Sequence, residues 1–452
     1  MQFCWVGQRI IDSIGLHVLL PIRSIIACDF GIESPQVARS CGARIHSIEE
    51  ASGIRKAWSS YHIEEAIARL IDAYGLEIFG QMKTGIIAYR AAPILEQVIA
   101  DPMGSHLRLL APPSDVVKRL DDKLYTFEGL TSAHISQPRS IIQVAQTSDY
   151  EHIKQQLGNE LVIKERLSSS GSGVHFISDR ASFEDVISRI GHQSVLISER
   201  VSGLSYNVHV VVNEERVLIS APSVQLVGLQ ECATKPSIYC GNDFAALASV
   251  DKETLVTIES MALAIGQWMA KDGFRGLFGA DFVGSGNQIY IVDINPRLQG
   301  STSLLTQAEL LLGRTPTIQG HIATYLPLQQ EVRNLPMGYQ TEPLSGAQII
   351  LHSLSDYPAE VRGSLLPGIY TANRKGHLDY ARPGLSLLDC VGTDEFLITC
   401  AVPSVGTIVE PGASLLKIVT LGSIIDIETG RLNSRASAIS EEVYDRMKLV
   451  SF

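Results

Sequence analysis

Residues 276–283 read Gly276-Leu277-Phe278-Gly279-Ala280-Asp281-Phe282-Val283, and residues 289–297 read Ile289-Tyr290-Ile291-Val292-Asp293-Ile294-Asn295-Pro296-Arg297. Phe278, Ala280 and Phe282 alternate with other residues, and Ile289, Ile291 and Ile294 mark a second apolar run, so two strands are predicted. Gly284-Ser285-Gly286-Asn287 between them is hairpin-turn chemistry. Residues two apart in a strand share a face, so Asp293 and Asn295 point to one place. Antiparallel pairing brings Asp281 to join them, and Arg297 extends the row. Two acids and an amide oxygen make an oxygen-rich site for a hard cation. Mg²⁺ suits it, because that ion takes few protein carboxylates and completes its shell with water and phosphate. The plain alternative is a hairpin whose acids face water, as most charged residues do. The apolar strands around the acids, and Asn295-Pro296-Arg297 directly after them, argue for the site.

The chain around this hairpin has 452 residues, too many for one core. Its apolar content of 45% and charged content of 19% are those of an ordinary globular protein. A net charge of −11, with no basic run, argues against affinity for nucleic acid or anionic membrane. No basic region followed by an apolar core opens the sequence, and no stretch is apolar enough to span a bilayer. The seven cysteines are scattered without a C-x-x-C pair, which points to buried thiols in a reducing compartment, the cytoplasm.

Working outward, residues 1–112 alternate short apolar runs with helical patterns, the signature of an α/β unit with a parallel sheet. Residues 24–30 read as a strand, 61–74 as a helix with Ile63, Ala66, Ile67, Leu70 and Ile71 on one stripe, and 76–80 as another strand. No G-x-G-x-x-G follows any of these strands. Ala111-Pro112-Pro113-Ser114-Asp115 breaks the chain before a helix starting near Val116, which carries Lys123. Residues 160–166 form a strand bearing Lys164. Ser168-Ser169-Ser170-Gly171-Ser172-Gly173 follows, a loop whose backbone N–H groups can close over phosphate. The order G-x-x-x-x-G-K-[ST] is absent, so this is not a P-loop. Residues 194–203 are a strand ending in Glu199-Arg200-Val201 and a hinge-like Gly203. Residues 223–248 read as an irregular polar loop, and 254–271 as an amphipathic helix that delivers the chain to the hairpin. From about 326 the pattern becomes short strands between Pro/Gly turns, with a final helix over 439–449.

Lys123, Lys164 with its Gly/Ser loop, Glu199-Arg200-Val201, Asp281 and Asp293-Ile294-Asn295-Pro296-Arg297 occur in an order and spacing that resemble the ATP-grasp superfamily over roughly residues 115–312. The resemblance implies an α/β plus α+β chain. A pre-ATP-grasp α/β domain would occupy residues 1–114. An ATP-grasp domain would occupy 115–325, with a small lobe at about 120–200 and a large lobe at about 201–325. A small β-rich C-terminal domain would occupy 326–452. Carried over residue by residue, it implies ATP binding by Lys123, Lys164, Ser170, Gly171, Ser172, Gly173, Glu199, Arg200, Val201 and Asn207. It likewise implies two Mg²⁺ (Mn²⁺ able to substitute) on Asp281, Asp293 and Asn295, and a catalytic role for Arg297 on the transferred phosphoryl group.

Three departures narrow the branch. Ser205-Tyr206-Asn207 stands where many members place a second Glu for the ribose. Ser301 stands where biotin carboxylase-like members place a Glu that acts on bicarbonate. Gly279 stands where D-alanine ligase-like members place an Arg. What remains resembles the peptide-forming (PGM1-type) ligases of natural-product pathways, which implies amide formation through an acyl phosphate. The expected partners are small carboxylate and amine substrates, amino acids or peptides, with Gln225, Tyr239, Asn242 and Ser301 as candidate substrate contacts. A homodimer is admitted. The rival readings are a ligase of ammonia or a carbamate, and a non-catalytic nucleotide-binding subunit.

Overall fold

The computed structural model describes residues 1–58, 62–79, 82–168, 171, 173–214, 216–326, 344–373 and 376–452. Ser170 and Ser172 of the Gly/Ser loop lie outside the described residues. The N-terminal part is a five-stranded parallel sheet in the order Arg44–Ser47, Ile22–Ala27, Gln2–Gly7, Thr84–Ala88, Leu107–Leu110. Strands buried on both faces read as continuous apolar runs, and Trp5, Ile22, Ile25, Ile86 and Ile87 are almost fully buried in this core. Gln2–Gly7 lies between strands the chain visits on opposite sides. Its carboxyl end, with that of Thr84–Ala88, is therefore the point where the winding reverses and a crevice opens.

Two expectations fail in this part of the chain. Residues 76–79 belong to the helix His62–Phe79, and the following strand is Thr84–Ala88. A short apolar run next to a helix carries no period of its own, so the helix simply absorbs it. The helix expected from Val116 through Lys123 is in fact two, Ser114–Asp121 and Lys123–Ser132. Asp122 breaks it by adopting extended backbone and accepting from the N–H groups of Leu124 (3.0 Å) and Tyr125 (3.4 Å) as an N-cap.

The next unit is a four-stranded antiparallel sheet, ordered Ser140–Val144, Ser194–Glu199, Leu161–Glu165, Val174–Ile177. Helices Tyr150–Leu157 and Arg180–Ile190 cover one face through Leu161, Ile163, Val195 and Ile197. By the period of two, Val162, Lys164 and Ser198 face the other way, into a cavity.

Facing it is an eleven-stranded sheet. Its path runs Gln288–Asn295, Gly276–Ser285, Leu204–Val212, Ser223–Val227, Tyr239–Asp243, Ala347–His352, Ser414–Thr420, Glu395–Thr399, Gly368–Ala372, Leu378–Arg382, with Val217–Ile219 paired to Leu204–Val212. The stretch 223–248, expected to be irregular, contributes two of these strands. Gln225, Tyr239 and Asn242 line the cavity while Val224, Leu226 and Cys240 are buried, a pattern that resembles a polar loop. The strands after residue 344 continue the same sheet through the pairing of Tyr239–Asp243 with Ala347–His352. A small sheet also joins Ile54–Arg55 of the N-terminal part to Ile408–Val409. The final helix is Ser434–Met447. All seven cysteines are free thiols and six are buried. No helix among the described residues is long and apolar enough to cross a membrane.

Candidate functional site

The hairpin is as its sequence predicts, with one addition. Gly276–Ser285 pairs antiparallel with Gln288–Asn295, and Asp281 sits directly opposite Asp293. The register then shifts, so that Phe282 pairs with Ile291 and Val292 is left over as a bulge. The bulge explains why the buried series runs Ile289, Ile291, Ile294 rather than in strict twos. It turns both Val292 and Asp293 toward the cavity. It also frees the Val292 carbonyl, which accepts from Lys164 Nζ at 2.5 Å.

Around the two acids the polar groups interlock. Asp281 Oδ1 accepts from Asn207 Nδ2 at 2.6 Å and from Gln225 Nε2 at 3.1 Å, and its Oδ2 accepts from Asn295 Nδ2 at 2.9 Å. Lys123 Nζ is buried and donates to Asp293 Oδ1 at 2.6 Å. Burial and the facing Asp293 push the Asp281 carboxyl from the ordinary 3.8 up to about 6. Burial works to lower the Lys123 ammonium, but Asp293 and Asp121 outweigh it and hold the group above the usual lysine value. For Lys164 burial wins, and its pKa falls.

Arg297 donates to Tyr89 Oη at 2.9 Å, to the Leu298 carbonyl at 3.0 Å and to Asn295 Oδ1 at 3.0 Å, and lies over the Tyr89 ring at 5.3 Å. Tyr89 comes from the N-terminal sheet and was missed by the sequence reading. Its signal is its place, immediately after the strand Thr84–Ala88 at the carboxyl edge where parallel sheets bind ligands. A Cβ on Gly279 would stand 2.2 Å from the end of the Gln299 side chain, so a larger residue there would displace Gln299 from the Asn295 and Arg297 carbonyls.

These groups line one cavity of about 590 Å³ between the two antiparallel sheets and the N-terminal sheet. Gln225, Tyr239, Asn242 and Ser301 line it as well. Tyr239 accepts from Gln348 Nε2 at 2.9 Å and donates to Asn242 Oδ1, while Asn242 Nδ2 donates to Ser223 Oγ at 2.9 Å. Glu199, Arg200 and Val201 form the opposite rim. The Glu199 carboxylate accepts from the Arg139 N–H at 2.9 Å and Arg139 Nε at 2.7 Å. Partial burial raises its pKa, but these bonds prevail and hold it low. Of the Gly/Ser loop, Gly171 and Gly173 are described. Gly171 has φ +76°, and a Cβ on it would stand 2.2 Å from the Ser237 carbonyl, so the loop seats tightly on the 237 segment. Ser237 Oγ also donates to the Gly171 carbonyl at 2.9 Å.

The chemistry of the donor set suits a hard divalent cation. Asp281 and Asp293 are two carboxylates held face to face, and beside them Asn207 Oδ1 is a buried oxygen with no hydrogen-bond partner among the described residues. All are oxygen ligands, and their mutual repulsion is what a cation would relieve.

A family model for the ATP-grasp domain matches residues 120–301. Residues 120–301 are an ATP-grasp domain. Solved structures extend the likeness of fold to nearly the whole chain. The biotin carboxylase domain of Hydrogenobacter thermophilus 2-oxoglutarate carboxylase, in complex with MgADP, ADP and bicarbonate, is 14% identical with a TM-score of 0.58, over 93% of this chain and 86% of that one. Carboxyaminoimidazole ribonucleotide synthase from Aspergillus clavatus, complexed with ATP, is 15% identical with a TM-score of 0.57, over 99% of each chain. Phosphoribosylamine–glycine ligase from Thermotoga maritima is 14% identical with a TM-score of 0.56, over 99% and 97%. The ATP-grasp fold is thereby shown, with a parallel sheet in the N-terminal region and large antiparallel sheets after it.

Proposed function

We propose that the chain is an ATP-dependent, ADP-forming ligase that joins a carboxylate to an amine. The observation that carries this is the convergence of Asp281, Asp293 and Arg297 with Lys123 and, reaching across from the facing sheet, Lys164, in one cavity whose rim holds Glu199. Two facing acids and three cations form a site for neutralising and aligning phosphates, which is most of what phosphoryl transfer asks of a protein. The complexes of the structural relatives with ATP, ADP and magnesium support the same reading.

In this proposal Lys123 and Lys164 hold phosphate oxygens, and the Gly171–Gly173 loop covers them. Glu199 and the backbone of Arg200 and Val201 hold the base. Asp281, Asp293 and Asn295 would hold Mg²⁺, which when bound supplies charge neutralisation between the phosphates. A substrate carboxylate oxygen attacks the γ-phosphorus and ADP leaves. The amine nitrogen then attacks the acyl carbon, phosphate leaves with the bonding pair, and the nitrogen gives up a proton. Arg297 steadies the transferred group and, through Tyr89, ties it to the N-terminal sheet. Ser301 in place of an acid speaks for an amine over bicarbonate as nucleophile. Amino acids or peptides as substrates, as in the peptide-forming branch, are part of the proposal.

Purified protein with ATP and Mg²⁺ is to be tested for ADP release against a panel of carboxylates and amines. Release that requires both a carboxylate and an amine supports the reading. Release with ammonium alone replaces it by ammonia ligation. Absence of release from every mixture, with ATP still bound, replaces it by a non-catalytic nucleotide-binding role.

A further inference from the structure

Three cations deep in the cavity make their hydrogen bonds, among the described residues, to neutral acceptors. Lys164 goes to the Val292 carbonyl, and Arg297 to Tyr89, Asn295 and Leu298. Both stand at the phosphoryl end, where an anion is expected. The third is Arg9, at the other end, where the proposed chemistry brings none. Its Nη1 donates to Cys400 Sγ at 3.4 Å, and burial raises the pKa of that thiol so that it stays neutral. The neighbouring cations are already matched. Lys417 Nζ pairs with Asp12 Oδ1 at 2.9 Å and Arg55 Nε with Glu49 at 2.9 Å, while Asp29 Oδ1 accepts from the Ile10 N–H at 2.8 Å.

Arg9 is rigidly placed. Cys28 and Asp29 donate to the Gln8 carbonyl at 3.1 and 3.2 Å, and Trp5 Nε1 donates to the Arg9 carbonyl at 3.2 Å. Behind it, Cys400 and Ala401 hold φ of 75° and 59°, a strained pair for residues with a Cβ. Glu33 fixes that turn by accepting from the Ala401 and Val402 N–H groups, and Arg55 Nη2 donates to the Ala401 carbonyl at 2.5 Å. Beside Arg9, Gln8 Nε2 is a buried donor with no partner among the described residues. Both residues line the cavity and leave the strand Gln2–Gly7 at the reversal point of the parallel sheet. Asp12 and Asp29 lie near enough to favour the Arg9 charge, but among the described residues the guanidinium donates a hydrogen bond only to a thiol. Such a donor fork and an unfilled amide donor, side by side at such a crevice, call for an acceptor-only guest.

We infer that Gln8 and Arg9 form a second anion site, at the carboxyl edge of the N-terminal sheet, that anchors a carboxylate or phosphate which one substrate carries apart from the bond being made. That the anion belongs to a substrate rests on the ligase reading; the site itself does not. It divides the cavity into a reacting end and an anchoring end.

The test is equilibrium binding to the full chain, saturated with MgADP so that the nucleotide end is filled. Inorganic phosphate and propionate are titrated separately by calorimetry into wild type, Arg9→Gln, Arg9→Lys and Gln8→Leu, each checked by thermal melting. Phosphate alone binding identifies a phosphate ester as the anchored group, propionate alone a carboxylate, and both a site that takes either. For whichever binds, Arg9→Gln is expected to weaken affinity about tenfold or more, and Arg9→Lys, which loses the planar fork, about fivefold. Gln8→Leu should weaken it about threefold. Should Arg9→Gln fail to fold, the lysine variant decides. Affinities in Arg9→Gln or Arg9→Lys equal to wild type, or no binding of either anion to wild type at about 50 mM, overturn the site. Failure of ADP release in the panel above would sink the ligase reading and leave this result untouched.

Discussion

At the Asp281–Asp293 end of the cavity the acids come from neighbouring strands of one hairpin, whereas at the Arg9 end the charged groups come from four distant stretches of chain. At the first end two carboxylates face each other, Lys123 pairs with Asp293 at 2.6 Å, and Asp281 is held at about 6 by burial and by Asp293. At the second, Lys417 meets Asp12 and Arg55 meets Glu49 inside ion-pair distance. The reacting end thus stores repulsion that a cation relieves, while the far end spends its charges on holding the parts together. Removing a charge should therefore cost function at one end and stability at the other.

The largest expected effect follows for Asp281→Asn. Loss of one of two facing carboxylates should cut ADP formation by about 10³-fold or more. Metal-free stability should not fall with it. The raised carboxyl contributes stability that is complete below the ordinary 3.8 and lost as pH rises through about 6. Above pH 6 the variant should melt at or above the wild-type temperature, and its profile across that window should be flatter. A variant that melts well below wild type at pH 7 would erase the contrast between the ends.

Next in size is Glu33→Ala. It leaves the N–H groups of Ala401 and Val402 without acceptors behind Arg9. Each buried orphan costs about 1–3 kcal/mol, so urea unfolding should lose about 3 kcal/mol. Residual ADP formation by the folded fraction should stay within a few-fold of wild type. Smaller again is a proton effect on the metal. Below pH 6, Mg²⁺ must displace a proton from Asp281, so its affinity should fall up to about tenfold per pH unit there and level off above. A flat profile between pH 5 and 7 would remove Asp281 from the metal site.

The same contrast governs what the sequence discloses. Asp293 and Asn295 are two residues apart in one strand, so their shared face can be read directly, and Asp281 follows from a four-residue turn. Even the bulge at Val292 leaves a trace, in the three-residue step from Ile291 to Ile294. Lys123 is harder. Its burial depends on Asp122 breaking one helix into two, a cap that looks like any surface acid until the backbone is seen. The strands at Ser223–Val227 and Tyr239–Asp243 are hidden because their cavity face is as polar as a loop. At the other end nothing is local. Arg9 meets Cys400 across 391 residues, and Lys417 meets Asp12 across 405. Glu199 was legible as a strand-end acid, but its partner Arg139 lies 60 residues away. Pairings of that separation have no period, and only the closed fold brings them together.

The smallest prediction concerns a residue that bridges the two ends. Tyr89 leaves the N-terminal sheet beside Gln2–Gly7, the strand that carries Gln8 and Arg9, and its hydroxyl takes a hydrogen bond from Arg297 Nη1 at 2.9 Å. Tyr89→Phe removes that bond but keeps the ring under the guanidinium at 5.3 Å. Arg297 retains Asn295 Oδ1 and the Leu298 carbonyl, so it should stay in place and lose only orientation. A net hydrogen bond is worth about 0.5–1.5 kcal/mol, which sets a fall in kcat of about two- to tenfold. KM for ATP should not move, because Lys123, Lys164 and the Glu199 rim are untouched. Were KM for ATP to rise while kcat held, Arg297 would serve ground-state nucleotide binding rather than the transferred group. Its tie to the N-terminal sheet would then be a matter of packing alone.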